Sequence, residues 1–340
     1  MHGTIAAGYP ESLRVRRDPQ DRRFRNLSGV EARPFRDVLR WNLGWGPREQ
    51  PAIDPARVPP GAAPRVEPDL ARLHSPPPDA VQFTWVGHAT WLIQAGGRNI
   101  LTDPIWSEHC APVPHPRIRR RVAPGVPFTG LPRIDLVLLS HGHYDHCDVP
   151  TLRRLGAAPD YVVPLGLAPL VRRCGAARIH EAEWGEALDL GAVRLTCLPA
   201  QHFTARTGWD RNRTLWCGWL IEVADRRIYF AGDTGFAPFF TELGPWFGAR
   251  GGVEVALLPV GAYQPRWFMT PVHCTAAEAV EIHRLIGARL SLAMHWGVWQ
   301  LTEEPLGEPP VLLADARRAA GVRDEDFRVP AVGETVVWGG

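Results

Sequence analysis

Three imidazoles and a carboxylate fall within six residues in Ser140-His141-Gly142-His143-Tyr144-Asp145-His146, directly after the apolar run Ile134-Asp135-Leu136-Val137-Leu138-Leu139. Neutral imidazole and carboxylate are the donors that a borderline-soft divalent ion such as zinc favours. Side chains at 141 and 143 can converge on one ion, and Asp145 and His146 can turn towards a second. A β-strand over the apolar run would deliver this loop at its C-terminal end, where α/β sheets place their chemistry. The bland alternative is a polar loop whose histidines only cap element ends. It requires four such residues to coincide by accident.

Matching donors recur downstream, each behind an apolar segment. His202 follows Leu198-Pro199-Ala200-Gln201, Asp233 follows Ile228-Tyr229-Phe230-Ala231-Gly232, and His295 follows Leu292-Ala293-Met294. Gly232 and Gly235 flank Asp233 and permit a sharp turn with close backbone approach. Cys147 adjoins the loop as a candidate neighbour of the site. His88 reads as a structural or supporting residue rather than a ligand, and His283 as a packed or surface histidine.

The elements that must carry these residues follow from pattern. Gln82–Val86, Thr90–Ile93 and Asn99–Asp103 alternate about the turns Gly87-His88-Ala89 and Gly96-Gly97, which predicts an antiparallel meander. Helices are expected near 149–155 and 166–173, with a strand at Tyr161-Val162-Val163 between them. Further strands are expected at Val193–Leu198, Leu215–Ile221, Arg227–Phe230, Val255–Leu258 and Leu290–Met294. Thr275-Ala276-Ala277-Glu278 is a capping box, so a helix should run from near 276 to about Ile286. Two halves, each with strands first and helices after, suggest two facing sheets with helices outside. Residues 1–79 stand apart as a Pro/Arg-rich extension ending in Pro76-Pro77-Pro78, and residues 80–340 form the main domain. Within the extension, the apolar stretch Val38–Trp45 could pack on the main domain or touch lipid.

Composition narrows the classes. A chain of 340 residues with 45% hydrophobic and 22% charged residues is a globular protein of one large or two ordinary domains. The net charge of +2 gives no argument for nucleic acid. All 38 basic residues are arginine, which excludes Schiff-base and P-loop lysine chemistry. Six scattered cysteines without a C-x-x-C pair exclude a zinc finger and fit a cytoplasmic protein. The N-terminus lacks signal-peptide character, and no apolar run is long enough to span a bilayer.

Taken together, these motifs resemble the metallo-β-lactamase superfamily, most closely N-acyl-phosphatidylethanolamine-hydrolysing phospholipases D and their bacterial relatives. The resemblance is carried by Trp85-Val86-Gly87-His88-Ala89-Thr90, Leu101-Thr102-Asp103-Pro104-Ile105, the loop Ser140–His146 and Val163-Pro164-Leu165-Gly166-Leu167. It continues through Gln201-His202, Phe230–Gly235, Gly261–Met269 and His295-Trp296-Gly297, and spans roughly residues 81 to 330. The Pro265-Arg266-Trp267-Phe268-Met269 segment is far more specific than the shared His-x-His-x-Asp-His loop.

The resemblance implies an α+β, αββα sandwich of two facing mixed sheets with helices on the outer faces. It also implies two zinc ions, one held by His141, His143 and His202, the other by Asp145, His146 and His295, with Asp233 bridging. His143 favours zinc over iron, because oxygen-handling di-iron relatives tend to carry a carboxylate there. A hydroxide shared by the ions would attack a phosphodiester, and Asp233 would orient it. His273 would assist at a phosphoryl oxygen or the leaving group, although Val272 replaces the family's glutamine beside it; its plain alternative is helix capping. The implied substrate is N-acyl-phosphatidylethanolamine or a related glycerophosphodiester, with a phospholipid partner, peripheral membrane contact and a homodimer as further expectations. Arg117-Ile118-Arg119-Arg120-Arg121 could attract anionic head groups, or be a solvated loop. Tryptophans near the motifs (Trp91, Trp106, Trp267, Trp296, Trp299) could line an acyl channel, though core packing is the commoner use. The competing readings are a hydrolase of a soluble metabolite, such as a lactonase, and a metal-binding protein without turnover.

Overall fold

Strand alternation in the first half sorts side chains onto two faces. Phe83, Trp85, Trp91, Ile93, Leu136 and Leu138 enter one apolar cluster, while Val86, Leu92, Leu101, Val137 and Leu139 enter another. A sheet buried on both sides results, as successive residues of a strand point to opposite faces. The computed structural model describes residues 3–47 and 49–339; the side chain of Arg117, part of the arginine run, also lies outside the described residues.

The first sheet has seven strands. Val81–Gly87, Thr90–Ala95 and Arg98–Thr102 form the expected antiparallel meander. Leu136–Leu138, Asp160–Pro164 and Arg178–Ala182 then add in parallel. Parallel neighbours need crossovers, and the helices Val149–Leu155 and Ala168–Arg173 supply two of them. The C-terminal strand Thr335–Trp338 closes the other edge by pairing with Val81–Thr84.

The second sheet repeats this plan with eight strands. Glu186–Asp189, Val193–Leu198, Gly218–Val223 and Arg226–Phe230 are antiparallel; Val255–Pro259, Leu290–Met294 and Phe327–Arg328 are parallel. Helices Phe239–Gly248, Ala276–Leu285 and Glu308–Ala320 connect the parallel part. At Thr275 both reciprocal hydrogen bonds of the capping box form, each satisfying an otherwise orphaned backbone donor.

Between the sheets lies the main core, where Trp85 stacks on both Trp91 and Trp296 with ring centroids 6.0 and 5.7 Å apart. Rings of this size each bury about 150–250 Å², so the stack anchors the strand that leads to His295. Trp91, Trp296 and Trp299 are accordingly buried in the core, as packing would have it.

One strand begins later than expected. Leu215 and Cys217 donate their backbone N–H groups to Leu165 O and Ser140 O of the opposite sheet. The ladder therefore starts only at Gly218.

Residues before 80 contribute to both layers. Thr4–Ile5 pairs with Glu186–Ala187, Tyr9, Leu13 and Phe24 join the main core, and Leu73 joins the other. Asn26 reaches furthest in: its side chain accepts from His202 N and donates to His202 O.

Candidate metal centre

All seven donors stand at C-terminal ends of strands or just beyond them, and the two sheets bring them to one place. His141 Nε2 lies 2.9 Å from His143 Nδ1, and His202 Nε2 lies 3.2 Å from the same atom. Nitrogens shared by one tetrahedral zinc at about 2.0–2.1 Å sit roughly 3.3 Å apart, so this triad is spaced for an ion. Asp145 Oδ2 is 3.4 Å from His146 Nε2 and 3.6 Å from His295 Nε2. Asp233 Oδ2 stands between the groups, 3.1 Å from both His146 Nε2 and His295 Nε2, 3.7 Å from His202 Nε2 and 4.0 Å from His141 Nε2.

The donor set passes a test that ordinary packing would fail. His146 Nε2, both ring nitrogens of His295 and Asp233 Oδ1 are buried with no hydrogen-bond partner among the described residues. Each such orphan costs about 1–3 kcal/mol, and buried polar atoms are nearly always satisfied. Of these atoms, His146 Nε2 and His295 Nε2 converge on Asp233 Oδ2, an arrangement that fits coordination to a shared cation.

Supporting groups set the tautomers. Asp103, fully buried, accepts from His146 Nδ1 at 2.7 Å and from Ser140 N at 2.7 Å and Oγ at 2.5 Å. His202 Nδ1 donates to Val272 O at 2.9 Å, and Ser140 Oγ bonds His141 Nδ1 at 2.9 Å. In each ring the opposite nitrogen is thereby left facing the centre, the usual arrangement around metal-bound histidine. His88 shares a 2.9 Å hydrogen bond between its Nε2 and Asp145 Oδ2. A nitrogen that donates to a carboxylate has no lone pair for an ion, so His88 orients Asp145. Its φ of +57° turns the backbone so that His88 O accepts from His295 N and Trp85 Nε1.

The electrostatics split the histidines into two kinds. Burial and neighbouring imidazoles push His141 well below the usual range, His143 to about 3 and His202 to about 4. These rings are neutral, as ligands must be. Burial also opposes charge on His146 and His295, but the nearby carboxylates outweigh it, Asp233 foremost. His146 is held well above its usual value and His295 at about 9. Asp145 and Asp233 are held well below the carboxylate range despite burial, chiefly by His146.

His273 faces the same centre. Its ring lies 5.0 Å from that of His202 and 5.4 Å from that of His295, and its Nδ1 has no partner among the described residues. Helix capping is done by Thr275, not by His273. His283 is packed, with Nδ1 bonded to Ser291 Oγ. Cys147 is buried beside the loop with its thiol pushed up to about 12, mainly by burial, and it belongs to none of the metal-capable groups.

One part of the site lay outside the sequence reading. Asp103 stood within a family motif but without a role, and only the parallel pairing of Thr102 with Leu138 shows that it sits beside the loop. The arginine run is not a uniform basic patch. Arg120 is turned inward over Trp299 and donates to Ile105 O and Ser107 O, and Arg119 pairs with Glu108.

With this geometry in view, likeness to known proteins becomes specific. Residues 98–296 match the beta-lactamase superfamily domain. The chain belongs to the metallo-β-lactamase superfamily. It is 35% identical over 270 residues to N-acyl-phosphatidylethanolamine-hydrolyzing phospholipase D 1 of Caenorhabditis elegans, covering 75% of this chain and 74% of that protein. An uncharacterised protein of Mycobacterium tuberculosis is 34% identical over 328 residues, 91% of this chain and 83% of its own. Among solved structures, an isothiocyanate hydrolase from Delia radicum gut bacteria superposes with a TM-score of 0.60 at 20% identity, over 76% of this chain and 99% of that one. That likeness establishes the fold alone. Membership in the metallo-β-lactamase superfamily makes this a metal-dependent hydrolase scaffold, and the chain carries a His/Asp cluster that could hold a metal ion.

Proposed function

We propose that the protein is a dinuclear zinc phosphodiesterase of the phospholipase D type, acting on N-acyl-phosphatidylethanolamine or a related glycerophosphodiester. The observation that carries this is the convergence of seven donors whose inward atoms are partly orphaned in a buried site, together with likeness to a named phospholipase D over three quarters of the chain. His141, His143 and His202 would hold one ion, Asp145, His146 and His295 the other, with Asp233 shared. An all-imidazole triad with no carboxylate at His143 favours zinc.

Two bound divalent ions supply Lewis acidity towards a phosphoryl oxygen and an activated water at neutral pH. The chain's own residues prepare that chemistry. Asp103 and Val272 O hold His146 and His202 with their Nε2 atoms inward. His88 holds Asp145. His273, whose ring lies beside those of His202 and His295, would hydrogen-bond a phosphoryl oxygen or protonate the departing alcohol. Breaking the P–O bond on the ethanolamine side leaves phosphatidic acid and an N-acylethanolamine.

The test is metal analysis of the purified protein followed by assay on N-acyl-phosphatidylethanolamine, with and without chelator. Expected are about two zinc ions per chain and release of phosphatidic acid that stops on chelation. Chelator-insensitive turnover, or a metal-loaded protein that cleaves no phosphodiester, would sink the proposal.

A further inference from the structure

We infer that Arg206 is a positioning residue for the metal centre: its guanidinium ties the loop at 140–147 to the chain that follows His202, and so fixes donors of the two sheets relative to one another. This deepens the metal-binding reading above and rests on it, but not on which phosphodiester is cleaved.

The front of the loop is held from the sheets. Asp103 accepts from Ser140 N, Ser140 Oγ and His146 Nδ1, and Ser140 O accepts from Cys217 N. Within the loop His143 O accepts from His146 N and Cys147 N. Gly142 and Cys147 are both buried, and buried carbonyls must find donors. Arg206 supplies them. Its Nη1 donates to Gly142 O at 2.8 Å and to Cys147 O at 2.9 Å, and lies 3.5 Å from His143 O. That nitrogen carries two hydrogens, enough for the two nearer carbonyls. Hydrogen bonds from a charged donor are roughly twice as strong as neutral ones. The bridge spans the stretch that carries His143, Asp145 and His146.

Tyr144, in the middle of that stretch, closes the clasp. Arg206 Cζ lies 3.9 Å from the centroid of its ring, and Tyr144 Oη donates to Arg206 O at 2.9 Å. A planar guanidinium can stack on a ring and serve two carbonyls at once, which a compact ammonium cannot. Arg206 is itself held in place, since Asp210 Oδ1 accepts from Arg206 N at 2.9 Å and from Thr207 N at 2.8 Å. Gly142 lets the two segments close: a Cβ there would stand 2.9 Å from Thr204 Oγ1.

The location of these contacts ties Arg206 to the donors. It follows His202 by four residues, Gly142 lies between His141 and His143, and Cys147 follows His146. A shift at Arg206 is therefore passed to a donor within one peptide unit. The first triad is the most dependent, because His141 and His143 come from the loop and His202 from the other sheet.

The experiment compares full-length wild type with Arg206→Met, Arg206→Lys and Tyr144→Phe. Zinc affinity is measured by competition with a chelator, and the visible d–d bands of the cobalt(II)-loaded proteins report ligand geometry. Arg206→Met should weaken zinc binding about 10–100-fold and shift the cobalt bands. Arg206→Lys, which keeps the charge and can reach one carbonyl, should recover part of that loss. Tyr144→Phe keeps the ring and loses one hydrogen bond, so a smaller loss in the same direction is expected; with Arg206→Lys it carries the test if Arg206→Met does not fold. Melting temperatures of the metal-free proteins isolate a purely structural role. Variants that melt earlier yet keep wild-type zinc affinity and cobalt spectrum would overturn the inference. Weakened zinc binding in a protein that cleaves no phosphodiester would leave the role of Arg206 standing and remove only the catalytic reading, whereas a wild type that binds no zinc would remove both.

Discussion

Asp103 Oδ2 accepts a hydrogen bond from His146 Nδ1 at 2.7 Å, with both side chains fully buried and 43 positions apart. That one contact decides which nitrogen of His146 would meet a metal. Burial raises the pKa of Asp103, so its ionised form relies on His146 and Ser140 in return. Asp103→Asn should lower zinc affinity at the site of His146 by about 10–100-fold, with secondary structure retained. Competition with a calibrated chelator measures this; unaltered affinity would show that the ring needs no such partner.

Asp145→Asn should remove one ion and at least about 100-fold in turnover, because a ligand matters more than the groups behind it. Metal content should fall from two ions per chain to about one. Unchanged hydrolysis would refute Asp145 as a ligand.

His88→Asn keeps a residue that tolerates the left-handed backbone observed at φ +57°. It shortens the reach to Asp145. Turnover should drop about tenfold with KM little changed, since the substrate does not depend on His88 for binding. A KM effect alone would place His88 against substrate instead.

Metal binding should release protons. Burial disfavours charge on His146 and His295, yet Asp233 and Asp145 overcome it, leaving His295 at about 9 and His146 well above normal. Raised values mean that both rings hold protons near neutral pH until an ion expels them. Zinc affinity should therefore weaken as pH falls. Titration calorimetry near neutrality should give heats that depend on the buffer's ionisation enthalpy; buffer-independent heats would contradict this.

Gly232→Ala should destabilise by about 1–3 kcal/mol. Its φ is +59°, and an added Cβ would stand 2.6 Å from Ser140 Cβ and 2.8 Å from Cys217 O. The clash falls between the Asp233 turn and the loop at 140–146, so zinc content should fall together with the melting temperature. A variant with normal stability would show that the turn can shift freely.

The meander at 81–102, the strand Leu290–Met294 and the capped helix at 276 were legible because their signals are local. Alternating apolar residues, paired glycines and a Thr-x-x-Glu box lie within a few positions of the elements they specify. Thr335–Trp338 carried no comparable signal, and its place rests on pairing with residues some 250 positions away. The strand expected at Leu215–Ile221 starts only at Gly218 for a related reason, since the backbone N–H groups of Leu215 and Cys217 bond across to Leu165 and Ser140.

At the centre, the kinds of donor and their positions behind apolar strands were readable in the chain alone, because ligand chemistry is a property of residue type. The distances between the donors, which nitrogen each ring turns inward, and the part played by Asp103 emerged only from the fold, as did the carboxylate that His88 supports. Those properties depend on strands paired across large separations, and no short-range periodicity encodes such pairings.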